Sequence, residues 1–343
     1  MRVLIATDAW HPQVNGVVRT LTSLARAAKG FGVDIEFLSP EGFPSIPLPT
    51  YPGLRLALPS RRQIAERIEQ VKPDAIHIAT EGTMGLWTRA YCLRRRVPFT
   101  TSYTTRFPEY ISARWPIPES AIYAALRRFH AAGSVTMVAT PSLRADLASR
   151  GFANLGMWTR GVDTDLFRPD RAIELPFPRP IFACVGRVAV EKNLDAFLSL
   201  DLPGSKVVVG DGPDRARLVA RFPGVRFLGE LQGLALSAAY ASADAFVFPS
   251  LSDTFGLVLL EALASGVPIA AFPIPGPLDV IGDSGAGALD WDLRRAALAA
   301  LSIPRETARA HALTFSIAAS ARQFVDNIFR AHAAPSAEAG FAG

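Results

Sequence analysis

Three short stretches of the sequence carry side chains suited to a phosphorylated ligand. In VGRVAVEKN, residues 185–193, a run fit for a buried strand delivers Gly186 and Arg187, with Lys192 following at the start of a helical stretch. Ligands of parallel sheets gather at the carboxyl ends of strands, and an arginine and a lysine beside a helix N-terminus suit a diphosphate. A solvated basic turn is the plainer reading of the same residues. In SLSDTFGLVLLEALASGVP, residues 250–268, Asp253 and Glu261 bracket Phe255, Gly256 and Leu257. A helix opening after Gly256 turns free N–H groups toward an anion and sets Glu261 about a turn inside, within reach of ribose hydroxyls. An acid within the apolar run LVLLEALA is costly to bury without a partner, which weighs against an accidental carboxylate. The third stretch, DAWHPQVNGVVRTL at residues 8–21, places Gly16 at a helix start, where backbone can approach a phosphate closely. GDGP at 210–213 reads as a similar turn, and for both glycine loops a purely structural turn is the competing reading.

Other chemistries find less support. Cys92 and Cys184 have neither a histidine partner nor CxxC spacing, so no zinc site or disulfide framework assembles and the compartment reads as reducing. The Asp163/Asp165 and Asp290/Asp292 pairs could suggest a metal, but they fall in a linker and a surface turn and read as solvated loops. No stretch of ~18 residues is free of interruption in the manner of a membrane span. The nearest, Phe255 to Phe272, contains Glu261, Gly266 and Pro268. The N-terminus MRVLIATDAW runs straight into a strand pattern, so a cytoplasmic protein is expected.

The elements that must position these residues follow from periodicity. The chain has 343 residues, enough for about two domains at roughly 100–200 residues each. With 49% hydrophobic and 20% charged residues it has the composition of a globular chain, not a disordered one. Strands are predicted at 2–7, 33–38, 74–79, 97–102 and 135–140, with helices opening near Val17, over Gln63 to Val71 and over Ala121 to His130. The stretch 161–180, rich in Pro and Asp, reads as an interdomain linker. A second series of strands, 181–186, 205–209, 225–228, 244–249 and 267–272, follows it. The pattern predicts an α/β protein of two Rossmann-like domains: 1–168, completed by a closing helix at 314–331 within a helical pattern from Glu306 to Ala331, and 169–313. Residues 334–343 read as a disordered tail.

The Gly16 loop, TRGVDTDLFRP, GRVAVEK, GDGP and the Asp253/Glu261 segment, in this order, resemble the retaining glycosyltransferases of family 4. The resemblance covers nearly the whole chain and implies the GT-B architecture, two facing Rossmann-like domains with a cleft, the first (1–168) binding the acceptor and the second (169–313) the nucleotide sugar. It implies that Arg187 and Lys192 neutralise the leaving diphosphate, that Glu261 binds the ribose, and that Asp253 takes the place of the first Glu of a Glu-x7-Glu pattern beside the donor sugar. Asp253 is one methylene short of that Glu. Thr104, in TTSYTTRFPEY, stands where related enzymes carry a His near the reacting sugar, keeps only a hydroxyl, and is expected to contact the donor sugar. With the diphosphate charge met by side chains, no metal or other cofactor is expected.

The net charge of +5 is uneven, with 21 basic and 14 acidic residues over 1–170 against 15 and 17 over 171–343. In the first half Arg106, Arg114, Arg127 and Arg128 alternate with Phe107, Tyr110, Trp115 and Ile117, which suits an anionic membrane surface, though a helix packed on a core with a solvated face would read the same. The resemblance is strongest to sulfoquinovosyl-diacylglycerol synthases and to hexosyl- and mannosyltransferases with lipid acceptors. Transfer of a hexose from a nucleotide diphosphate sugar, UDP before GDP, to a membrane lipid or glycolipid is therefore expected. A soluble-acceptor or polysaccharide-building transferase, a catalytically weak nucleotide-sugar binder and a sugar-nucleotide epimerase are the alternatives. No nucleic-acid-binding module appears.

Overall fold

The computed structural model describes the chain except at 12–15, 49–50, 113–114, 252–254 and 334–343; at 47–48, 51–55, 110 and 333 it describes the backbone alone. Asp253, Arg114 and the expected tail thus lie outside the described residues. Strands in chain order are β1 (Arg2–Ala6), β2 (Asp34–Leu38), β3 (Ser45–Leu48), β4 (Tyr51–Ala57), β5 (Ala75–Ile78), β6 (Phe99–Ser102), β7 (Val135–Val138), β8 (Leu155–Met157), β9 (Ile181–Val185), β10 (Ser205–Val209), β11 (Arg226–Phe227), β12 (Ala245–Phe248), β13 (Ile269–Ala271) and β14 (Gly287–Leu289). They form two six-stranded parallel sheets, β2-β1-β5-β6-β7-β8 and β11-β10-β9-β12-β13-β14, and a β3–β4 hairpin.

Central strands such as AIHI in β5 and AFVF in β12 are buried at every residue, as expected when helices cover both faces of a parallel sheet. The hairpin and the three-residue strands LGM and GAL went unpredicted, the latter because such short, glycine-containing runs carry no period. Helix starts are more legible. Ser60 caps the helix Arg61–Val71 in a capping box with Gln63, and the helix ends at Lys72, which adopts φ 49° before Pro73.

The chain forms two compact units, Met1–Thr159 with Ala318–Gly343, and Arg160–Ile317. The crossings lie at 159/160 and 317/318, against the expected 168/169 and 313/314. The stretch 161–180 is not a free linker, because its backbone is tied into the second unit. Arg309 donates to Phe167 O at 2.7 Å and Thr164 O at 3.0 Å, Ser237 donates to Leu166 O at 2.6 Å, and Ile173 N donates to Ser242 Oγ at 2.9 Å.

The expected continuous pattern from Glu306 to Ala331 is two helices, Arg305–Ala312 and Ile317–Ala333. Between them Val162 N donates to Phe315 O at 3.0 Å and Val162 bridges to Ser316, which draws the backbone out of the helix. Gly161 permits this approach, since a Cβ there would stand 2.6 Å from Ile317 Cα. The last helix then buries Ala321, Phe324, Val325, Ile328 and Ala331 in the core of the first unit beside Trp158, Val3 and Ile5. The second unit has its own core of Phe182, Leu194, Val208, Val247 and Ala296 among others.

Candidate functional site

In the second unit the strand order runs outward from β9 through β10 to β11 and from β12 through β13 to β14. The β9/β12 boundary is therefore a switch point, where loops leaving the strands part to opposite sides and leave room for a ligand. The loop after β9 carries Gly186, exposed Arg187 and half-buried Lys192. It lies against the loop after β10, with Gly186 N bonded to Val209 O and Val188 N to Asp211 O, both at 2.9 Å. Gly210, at φ +138°, makes this possible: a Cβ there would run into Gly186 O. Lys192 ends a short 3₁₀ turn, Val190–Lys192, and does not itself open the helix Leu194–Leu198 as the sequence suggested. Asn193, at φ 51°, separates the two and donates Nδ2 to Pro249 O at 3.0 Å, while Ser250 Oγ reaches Glu191 O at 3.5 Å. These contacts stitch the Arg187/Lys192 loop to the loop after β12.

That second loop ends in Phe255, which is buried, and Gly256, at φ +83°, which opens the helix Leu257–Ala264. Its first turn offers backbone N–H groups at the same sheet edge. Glu261 is 4% exposed and accepts the Tyr240 hydroxyl at 2.9 Å on Oε2. The buried acid thus has a partner that periodicity did not reveal. Tyr240, on the helix Gly233–Ala241, is wedged between Phe167 and Phe246 with ring centroids 5.7 and 5.6 Å away.

Two arginines from the helix Arg305–Ala312 secure the far ends of these helices. Arg309 donates to Ala264 O at 2.6 Å, and Arg305 to Ser265 O at 3.2 Å, Ala241 O at 2.6 Å and Ala243 O at 2.8 Å. Cations at helix C-termini meet the negative end of the dipole, and desolvation lowers the pKa of both guanidinium groups. The carboxylates of Asp163, Asp290 and Asp292 in the DxD strings are occupied locally. Asp163 accepts from Asp165 N at 3.1 Å and Leu166 N at 2.9 Å, and Asp290 from Asp292 N at 2.8 Å, while Asp292 caps the helix Leu293–Ala300. Among the described residues no group of three or more His, Cys, Asp or Glu is arranged to hold a metal ion.

In the first unit the switch point lies between β1 and β5. Gly16 opens the helix Gly16–Ala28, and Thr104 sits two residues beyond β6. Asp8, which the sequence did not single out, anchors this edge: it accepts Thr80 Oγ1 at 2.7 Å, Thr83 Oγ1 at 3.2 Å and Met84 N at 2.9 Å. Burial raises its pKa against the pull of those hydrogen bonds. Of the basic residues expected to face a membrane, Arg106 is ion-paired to Glu109 at 3.0 Å and Asp146 at 3.1 Å with its side chain 16% exposed, so it is not a surface cation. Arg127 and Arg128 are exposed, as are Phe107, Trp115 and Ile117. Among the described residues no helix is long and apolar enough to cross a membrane. The structure thus brings Gly186, Arg187, Lys192, Gly256, Leu257 and Glu261 to one sheet edge of the second unit, and carries Gly16 and Thr104 on the first.

Residues 14–166 match the family described as Glycosyltransferase Family 4, and residues 179–302 the family described as Glycosyl transferases group 1. A GDP-mannose-dependent alpha-mannosyltransferase of Mycobacterium tuberculosis is 31% identical over 84% of this chain and 83% of its own length. A sulfoquinovosyl transferase of Arabidopsis thaliana is 35% identical over 75% of this chain, which spans 54% of that relative's length. The alpha-monoglucosyldiacylglycerol synthase of Streptococcus pneumoniae is 26% identical over 88% of this chain and 78% of its own. The crystal structure of Anabaena HepE in complex with UDP and glucose superposes with a TM-score of 0.71 at 14% identity, covering 96% of this chain and 100% of that one, a likeness of fold. With two parallel Rossmann-like sheets and these matches, the chain belongs to the family 4 glycosyltransferases of GT-B fold.

Proposed function

We propose that the protein transfers a hexose from a nucleotide diphosphate sugar, UDP-linked in preference to GDP-linked, to a membrane lipid or glycolipid acceptor, with retention of anomeric configuration and without a metal ion. The observation that carries this reading is the stitching of the Arg187/Lys192 loop to the loop that opens the helix bearing Glu261. Breaking the sugar–phosphate bond loads negative charge on the departing diphosphate. Arg187, Lys192 and the N–H groups at Leu257 onward supply fixed positive charge and dipole for it, which is the part a metal ion takes in other folds. Glu261, held by Tyr240, accepts from ribose hydroxyls, and Asp253 and Thr104 keep the donor-sugar roles that the resemblance implies. Exposed Trp115, Ile117 and Phe107 with Arg127 and Arg128 favour an anionic lipid surface.

The test is thermal stabilisation of the protein by UDP, GDP, ADP and their hexose conjugates. A rise with the UDP series that disappears in Lys192→Ala is expected, since losing one charge-assisted contact costs about 1.5–3 kcal/mol, or roughly 10–100-fold in affinity. No stabilisation by any of them overturns the donor reading. Turnover in the presence of EDTA and the anomeric proton coupling of the product check metal independence and retention. Sedimentation with anionic liposomes at low salt checks the membrane surface. GDP-mannose is the second donor reading, favoured by the 31% identical relative whose name specifies it.

A further inference from the structure

Beyond β6 the first unit turns from strand to helix within the stretch Tyr103 to Arg106. Tyr103 N donates to Met137 O at 3.0 Å, which carries the ladder one residue past Ser102. The chain then leaves the sheet at Thr104 and enters the helix Phe107–Ser112, with Phe107 N bonded to Thr105 O at 2.9 Å across the turn. A helix of six residues is too short to hold itself together in water, so neighbouring groups must fix it.

Five side chains do so in a closed ring. Arg106 Nη1 donates to Glu109 Oε1 at 3.0 Å and to Asp146 Oδ2 at 3.1 Å. Asp146, on the helix Pro141–Ser149, takes Arg150 Nε on its other oxygen at 2.9 Å. The Arg150 guanidinium lies 3.9 Å from the centroid of the Tyr123 ring, and the Tyr123 hydroxyl, from the helix Glu119–His130, returns to Glu109 Oε1 at 2.7 Å. Two guanidinium groups thus face two carboxylates, and Arg106 and both of its acids are largely withdrawn from water. An ion pair in that setting often adds no more stability than apolar side chains of the same volume, whereas its hydrogen bonds fix direction. Arg106 closes this ring two residues from Thr104, in a loop at the carboxyl edge of the sheet, where parallel sheets carry their sites.

We propose that Arg106 is a positioning residue of the transfer reaction: by closing the ring it fixes the turn 103–106 and with it the direction of the Thr104 hydroxyl. Thr104 has its donor-sugar role from the function proposed above, and the inference rests on that reading. With two carboxylates against it, Arg106 offers no net positive charge to a diphosphate and acts through the turn.

The experiment uses the full chain and reads two quantities. Amide hydrogen exchange followed by mass spectrometry reports the turn. Release of nucleotide from UDP-glucose and from GDP-mannose, each supplied alone with water as the acceptor, gives kcat and KM. Arg106→Met keeps the length of the side chain and loses its charge, so it should speed exchange over 103–112. It should also lower kcat about 10–100-fold, as a misplaced contact does, and leave KM within about threefold, because the nucleotide is held by the second unit. Thr104→Ala should lower kcat to a similar degree, and the double variant should be no slower than the slower single one, since both remove the same contact. Arg106→Lys, whose ammonium has a hydrogen for each acid, should keep kcat within about threefold of the native value. Should Arg106→Met not fold, Asp146→Asn opens the ring from the neighbouring helix and should move exchange and kcat in the same direction. Unchanged exchange over 103–112 in Arg106→Met, an unchanged kcat, losses that multiply in the double variant, or Arg106→Lys as slow as Arg106→Met would each overturn the proposal. Thr104→Ala as fast as the native protein overturns the donor-sugar role of Thr104 instead, and a native protein that releases nucleotide from neither donor overturns the function proposed above. In both of those cases the exchange rates still decide whether Arg106 sets the turn.

Discussion

The Tyr240–Glu261 contact puts one neutral hydroxyl against one buried carboxylate, so the hydroxyl has a measurable role. Tyr240→Phe removes it without changing ring packing against Phe167 and Phe246, and should cost about 1–3 kcal/mol in urea denaturation, with a raised KM for the donor. An unchanged denaturation midpoint and KM would mean that Glu261 does not depend on Tyr240. A second residue-scale expectation concerns Cys92, where burial pushes the thiol up to about 12. The thiolate is the reactive form, so at pH 8 the native protein should leave Cys92 unmodified by iodoacetamide in peptide mapping, with labelling appearing only on unfolding. That Glu261 and the Arg187/Lys192 pair would come to one sheet edge was legible in the sequence because they stand in short motifs of fixed spacing. Tyr240, Asn193 and Asp8 were not, because each acts on a partner supplied by folding, in the case of Tyr240 by a helix from a different part of the chain.

At the scale of elements, the helix Leu257–Ala264 is apolar nearly all round, so no amphipathic stripe sets its orientation and its ends must do so. Gly256 begins it in a left-handed conformation, and Arg305 and Arg309 hold the carbonyls at its end. Arg309→Met should therefore destabilise the second unit by about 2–3 kcal/mol in equilibrium unfolding, since it removes charge-assisted bonds to Ala264, Phe167 and Thr164 together. A loss below about 0.5 kcal/mol would show that water replaces those bonds. The long β-branched strands announced themselves by composition, whereas β8 and β14 are too short to show a period. The helical pattern past Glu306 was misread as one helix because the force that breaks it, Val162 bonding to Phe315, comes from more than a hundred residues earlier in the chain.

For the whole molecule, the two-sheet architecture followed from the alternation of strand and helix patterns, but the membership of 161–180 did not, since Pro and Asp also suit an exposed linker. The chain enters the second unit at Arg160 and leaves it at Ile317, side by side at Gly161. A protein ending at Ser316 should keep the second core and lose the first. Burying a large apolar side chain is worth ~1.5–3 kcal/mol, so losing Phe324, Val325 and Ile328 together removes much of a domain's margin. Limited proteolysis should then cut within 1–159 while sparing 160–316, and equal resistance of both would contradict the assignment of the last helix.

That last helix also sets an order in time. On the ribosome, residues 1–159 emerge with Trp158 and the part of their core that the last helix covers left open, and stay so until that helix is made. At about 5–20 residues per second, synthesis of the intervening unit takes on the order of 10–30 s. The half of the protein translated first is thus the half completed last, and through that interval it must be kept from sticking to its neighbours.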